Sequence, residues 1–267
     1  MTWNISFITE ENFKKHVSNT VHTYVQSLKP IDLKKFNSNC VDPIKLLFDK
    51  TVYNQSWQET VFKEIARQRD KSNNNDIGYF HQNIFKYIHN CNVPKSGWDV
   101  IYTNPSGILM PDGSTIRTIY AQLKNKHNTM NSGNAQKEYI YMQQQLLRDD
   151  NCACFLVEAI SKRSQNTVWS PIAKGKKTKH KLIRRVSIDK FYEIVTGESN
   201  AFYQVCMVLP KVIKLVLQSQ REHLIPKDTA FDELQNKARQ IKDLSGEAAL
   251  TLAVYRLAFE TYLGFTS

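Results

Sequence analysis

The stretch "IRTIYAQLKNKHNT", residues 116–129, decides how the chain is read. From Ile119 onward the apolar Ile119, Ala121 and Leu123 alternate with Tyr120, Gln122 and Lys124, which is the period of a strand. Side chains two apart share a face, so Gln122 and Lys124 arrive together where the strand empties into a polar run. Upstream, "WDVIYTN" (98–104) is the nearest strand candidate. Two turn signals, Pro105-Ser106-Gly107 and Pro111-Asp112-Gly113, separate the strands, so 97–124 reads as a β-hairpin or short meander.

Between Asp99 and Gln122 lie 22 residues. If the two strands pair, Asp99 lies beside the face that carries Gln122 and Lys124. A carboxylate, the Gln122 amide oxygen and the Leu123 backbone carbonyl then form an oxygen-rich corner suited to Mg²⁺. Lys124 beside it suits an activated water and a phosphate, the needs of phosphodiester hydrolysis.

Working outward, the N-terminal third reads as helical. Phe13, Val17, Val21 and Val25 recur at helical spacing behind a Thr9 N-cap, and "IKLLFDKTVY" after Pro43 is a second, short helix. "SWQETVFKEIARQRD" opens on a capping box of Ser56 and Glu59. "KSNNND" then reads as a break and "IGYFHQNIFKYIHN" as a second helix, giving an antiparallel helical hairpin. Beyond the hairpin strands come a helix over "NSGNAQKEYIYMQQQLLRDD", an apolar strand "CACFLVEAI", a basic loop and a strand "IRRVSI". A helix follows that stops at Gly197, then helices over 200–218, 229–243 and 246–262. The expectation is an α/β fold: a central sheet of mixed direction flanked by helices, with helical N- and C-terminal additions. It reads as one domain, with a helical part over 1–92, a sheet core over 93–195 and a helical part over 196–267.

The net charge of +11 and a pI near 9.3 in a chain with 11% aromatics point to a polyanionic partner, nucleic acid above all. "KGKKTKHKLIRR", 174–185, is the densest basic run and reads as a DNA-backbone contact through Lys174, Lys176, Lys177, Lys179, Lys181, Arg184 and Arg185. Lys126, His127 and Asn128 extend the polar end of the 116–129 strand into the same role. Asn73, Asn74, Asn75, His81 and Gln82 suit base or phosphate contacts; they equally suit a capped interhelical loop with a packed histidine, and the sequence allows both. No run of 18 apolar residues and no secretory leader is visible, so no membrane-spanning helix is expected and a cytoplasmic location is. Five scattered cysteines suit reduced thiols, and the alternation around Cys152 and Cys154 makes them strand residues rather than half of a zinc site. No Walker A loop, ββα-metal motif or HxK motif is present.

Gly97-Trp98-Asp99 followed by Gln122-Leu123-Lys124 resembles the active site of the PD-(D/E)xK nuclease superfamily, with Gln in place of the second acid. "DPIKLLFDK", "RQRDKSNNNDIGYFHQNIF", "GWDVIY", "QLKNKHNTMNS" and "SIDKFYEIVTG" look like type II restriction endonucleases of the group that cuts GGNCC-type sites, over residues 30–200. That resemblance implies Mg²⁺-dependent, sequence-specific hydrolysis of double-stranded DNA to 5′-phosphate ends. It also implies a prokaryotic homodimer and a companion DNA methyltransferase. In the superfamily a first helix often supplies a carboxylate that positions water, and here Glu64 matches it, with Glu59 taken up in the cap. Two rivals remain, a nuclease of this fold acting on modified DNA or in repair and a DNA-binding protein without catalysis.

Overall fold

A computed structural model describes residues 3–173, 176–177, 179–219 and 227–261; for residues 172, 173, 176, 177 and 219 it describes the backbone alone. The described residues group into two compact units, one of residues up to His22 with Asn75–Arg221, the other of Thr23–Asn74 with the residues after Arg221.

The first unit holds a six-stranded sheet in the order β1-β2-β3-β4-β8-β5. The strands are β1 (Cys91–Asn92), β2 (Val100–Leu109), β3 (Thr115–Lys126), β4 (Cys152–Ile160), β5 (Asn166–Val168) and β8 (Ile183–Ser187). A separate pair, β6 (Ile172–Ala173) and β7 (Lys176–Lys177), lies outside this sheet. β1, β2 and β3 run antiparallel, β3, β4 and β8 parallel, and β5 closes the far edge antiparallel. The sheet is thus open and mixed and flanked by helices, as the alternation of strand and helix patterns implied.

Helix α5 (Ser132–Arg148) makes the crossover from β3 to β4. It buries Tyr139 and Met142 against Cys154, Leu156 and Ile183. Helix α6 (Ile188–Thr196) covers the other face, where Phe191 packs on Phe155 and on Phe85. It ends at Gly197, whose φ of +77° is the left-handed cap that glycine adopts freely. Helix α7 (Ala201–Ser219) turns Ala201, Val205, Val212 and Val216 inward. Its segment Ala201–Gln218, which includes Lys211 and Lys214, is by length and composition alone apolar enough to cross a membrane; the buried stripe accounts for part of that character.

The second unit is helical. Helices α2 (Leu33–Phe36), α3 (Pro43–Val52), α8 (Ala230–Arg239) and α9 (Gly246–Phe259) enclose Phe36, Leu46, Leu234 and Val254 together with Trp57, Val61 and Ile65.

The expected helical hairpin is instead one helix, α4 (Trp57–Asn83), followed by a 3₁₀ turn over Ile84–Tyr87. Ser56 and Glu59 close the capping box at its start, the Ser56 N–H donating to Glu59 at 2.8 Å. "SNNND" does not break it, although three asparagines cost about 2 kcal/mol against alanine in a helix interior. Asn74 donates to Asp70 one turn back at 2.9 Å, and apolar side chains are buried on both sides of the polar stretch, Trp57, Val61 and Ile65 before it and Phe80 after it. The division between the units falls within this helix and within α1 (Glu10–Ser27).

The hairpin of β2 and β3 is as expected, with a correction. Pro111-Asp112-Gly113 is the turn, whereas Pro105-Ser106-Gly107 is a bulge within β2, where the register shifts between Thr103 and Ile108.

Candidate active site

Val100 pairs with Ala121 at the start of β2, and the Asp99 N–H donates to the Ala121 carbonyl at 3.1 Å. One step further, the Leu123 N–H donates to the Asp99 carboxylate at 2.7 Å. Backbone groups of alternate strand residues point the same way. The Leu123 N–H and carbonyl are therefore both turned toward Asp99, beyond the first paired residue of β2.

Tyr120, Gln122 and Lys124 share the face that α5 covers. Gln122 is buried and donates from Nε2 to the Gly97 carbonyl at 2.9 Å, which fixes which end of its amide is the oxygen. Trp98 packs on Tyr120 and stacks on Tyr141 with ring centroids 4.7 Å apart. Behind the site, Gln82 of α4 donates to the Asp99 carbonyl at 3.3 Å. Gly78, one turn earlier, lets the helix close on β3, since a Cβ there would meet Asn125 at 3.2 Å.

Lys124 opens into a cavity of about 510 Å³ lined also by Asn134, Lys137, Glu138 and Tyr141. Its ammonium lies 3.9 Å from the Glu138 carboxylate. Burial pushes the Asp99 carboxyl up, opposed by the Leu123 N–H and by Lys124. Glu138 is raised in the same way by burial; Lys124 lowers it and the charge of Asp99 raises it further. Glu138 is a residue that sequence reasoning missed. Its only local signal is spacing, because Glu138, Tyr141 and Gln145 form one stripe of α5, and Gln145 accepts from the Trp98 indole at 3.4 Å.

The donors around Asp99 are oxygens that are half-buried and close to a lysine, which fits a hard divalent cation better than a transition metal. Among the described residues no group of three or more His, Cys, Asp or Glu side chains is placed to hold a metal ion.

A family model of the Eco47II restriction endonuclease matches residues 5–218. The chain belongs to the Eco47II restriction endonuclease family. It is 28% identical over 244 residues to the type II restriction enzyme Sau96I of Staphylococcus aureus, covering 88% of this chain and 89% of that one. It is also 28% identical over 239 residues to the type II restriction enzyme Eco47II of Escherichia coli, covering 85% and 95%.

The other residues singled out in this member of the Eco47II family lie on several elements. Glu64 belongs to the second unit, where its buried carboxylate accepts from Arg67 at 2.7 Å and from Gln68 at 3.3 Å beside a cavity of about 540 Å³. Asn73, Asn74 and Asn75 lie within α4 rather than in a loop, and the Asn73 carbonyl accepts from Tyr24. His81 stands edge-on to Phe80, and its burial lowers its proton affinity.

Lys126 and Asn128 are exposed at the end of β3, while His127 keeps its Nδ1 buried without a partner. Arg184 is buried and spent on Asn166 and on the Lys181 carbonyl, and Arg185 is held by Glu158 at 2.7 Å and by the His127 carbonyl. These two arginines sit in β8, the strand expected over "IRRVSI". Lys179 is exposed, and Lys181 pairs with Asp112 at 3.1 Å. Lys174 lies outside the described residues, as do the side chains of Lys176 and Lys177.

Proposed function

We infer that this chain is a type II restriction enzyme, a site-specific deoxyribonuclease, and that Asp99, Gln122 and Lys124 form its active centre. Membership in the Eco47II family supports the activity. The observation that carries the site is the Asp99–Leu123 hydrogen bond, which joins the acid to the middle residue of Gln-x-Lys. The mixed sheet, with β2 and β3 delivering these residues, supports reading it as a PD-(D/E)xK core.

Asp99, the Gln122 amide oxygen and the Leu123 carbonyl would hold Mg²⁺. When bound, such a cation supplies positive charge at the scissile phosphate and acidifies water. Lys124 points its ammonium into the open cavity, where it offers hydrogen bonds to negative charge growing on the phosphate oxygens. Gln82 and Gly97 keep Asp99 and Gln122 in register. Water attacks phosphorus in line with the P–O3′ bond. The new O–P bond forms as P–O3′ breaks, the water gives up a proton to solvent and the 3′ oxygen takes one. A 5′-phosphate and a 3′-hydroxyl remain. Glu64, engaged by Arg67 and Gln68, is left out of this scheme.

The substrate is double-stranded DNA with a short GGNCC-like site, cut on both strands by a homodimer, and self-modification falls to a methyltransferase of the same specificity. Lys126, Lys179 and the basic residues that precede β8 supply phosphate contacts. Digestion of a sequenced plasmid with Mg²⁺, followed by sequencing of the ends, tests this. Discrete fragments with 5′-phosphates at one GGNCC-like site are expected; cleavage restricted to methylated DNA, or binding without cleavage, would replace the reading with one of its rivals.

A further inference from the structure

We propose that Glu138 of α5 supplies the second carboxylate of the cation site, the acid that Gln122 does not provide. The inference rests on the active centre argued above and adds a residue to it. In β3 the position two before Lys124 is neutral, and its amide N–H is committed to the Gly97 carbonyl. Asp99 and Lys124 together then carry no net charge, so a divalent cation placed between them gains little from the protein's field. One further acid makes the set of Asp99, Lys124 and Glu138 net negative and offsets Lys137 in the same cavity.

Glu138 is placed to do this. Its Oε2 is 3.9 Å from the Lys124 ammonium, and Asp99 is near enough for its charge to be felt at Glu138. Its Oε1 is buried with no hydrogen-bond partner, which is true of no other carboxylate oxygen among the described residues. A buried carboxylate oxygen without a donor is costly unless something positive meets it. The rival acids are already satisfied. Glu64 accepts from two nitrogens of Arg67 and from Gln68, and Glu158 from Arg185 and Ser161.

The position of Glu138 is also rigid. Tyr139 and Met142 bury the same helix in the core, while Tyr141 and Gln145 of the Glu138 stripe hold Trp98, the neighbour of Asp99. The acid has thus moved from strand to crossover helix, still facing the lysine.

Titration of the full chain with Tb³⁺, read by luminescence sensitised through Trp98 and by plasmid cleavage in Mg²⁺, tests this. Glu138→Gln is expected to weaken Tb³⁺ binding about 10- to 100-fold with a parallel loss of cleavage and an unchanged circular-dichroism melt. Asp99→Asn is expected to weaken it as much. If Asp99→Asn weakens binding and Glu138→Gln does not, Glu138 is no ligand and the active centre stands without it. If neither changes the affinity, the active centre itself is misplaced. Loss on Glu64→Gln with none on Glu138→Gln would also overturn the proposal. Should Glu138→Gln melt early, Glu138→Asp, which keeps the charge, must bind Tb³⁺ more tightly than Glu138→Ala.

Discussion

The carboxylate of Asp99 accepts the N–H of Leu123 at 2.7 Å, and this bond holds the acid against the backbone of the residue between Gln122 and Lys124. An asparagine keeps the acceptor and removes the charge. Asp99→Asn is therefore expected to fold normally and to lose cleavage by about 10²- to 10³-fold, the scale of one preorganised electrostatic contact. Specific DNA binding in Ca²⁺, measured by mobility shift, should survive. Equal loss of binding and cleavage would make Asp99 a structural residue.

Gln122 shows why an amide stands where an acid is common. Its Nε2 satisfies the Gly97 carbonyl at 2.9 Å in a nearly closed environment. In Gln122→Glu a carboxylate faces that carbonyl, leaving two buried acceptors without a donor, at a cost of about 1–3 kcal/mol. The melting temperature should fall by about 2–4 °C for each of those kilocalories in a chain of this size. Ca²⁺ should recover part of the loss by binding the folded state. An unchanged melt without cation would show that the Gly97 bond contributes nothing.

His16 reports on the first unit as pH falls. Its ring bonds the Phe80 carbonyl at 3.0 Å, and burial, with His81 and Lys86 nearby, lowers its pKa from 6.5 to about 4. Below pH 6.5 the unfolded chain takes up a proton that the folded chain refuses. Stability is therefore full above 6.5 and lost as pH drops toward 4, by about 2 kcal/mol between pH 7 and 5. Urea unfolding at the two pH values measures this. His16→Gln keeps a donor for Phe80 and should flatten the dependence, and a variant that keeps the wild-type slope would exonerate His16.

The hairpin and Gln-x-Lys were legible because strand alternation and turn residues are local signals, visible in "TIYAQLK" and Pro111-Asp112-Gly113. The parallel pairing of β3 with β4 was not, since it exists only once α5 has crossed over. Glu138 was invisible for the same reason: nothing in "KEYIYM" tells which helical carboxylate will meet a strand end. α4 misled through composition. Asparagines favour breaks locally, but the apolar side chains buried before and after them hold the helix through. Arg184 and Arg185 were legible as strand residues of "IRRVSI", but their partners, Asn166 and Glu158, were not, because these lie elsewhere in sequence.

Gly107 holds the bulge that lets β2 and β3 pair on either side of it. Its φ is +96°, and an added Cβ would stand 2.6 Å from Cγ2 of Thr115. Gly107→Ala meets both obstacles, an unfavourable backbone region costing about 1–3 kcal/mol and a contact that the facing strand must yield to. A lower melting temperature is expected, with cleavage retained at 20–25 °C or so, because Asp99 and Gln122 lie at the opposite end of the hairpin, next to the Val100–Ala121 pair. Thr115→Ser removes the Cγ2 atom. In the Gly107→Ala background it should recover the steric part of the loss and leave the backbone part. Full recovery by Thr115→Ser would mean that the positive φ carries no strain, and no recovery would mean that the Thr115 contact costs nothing.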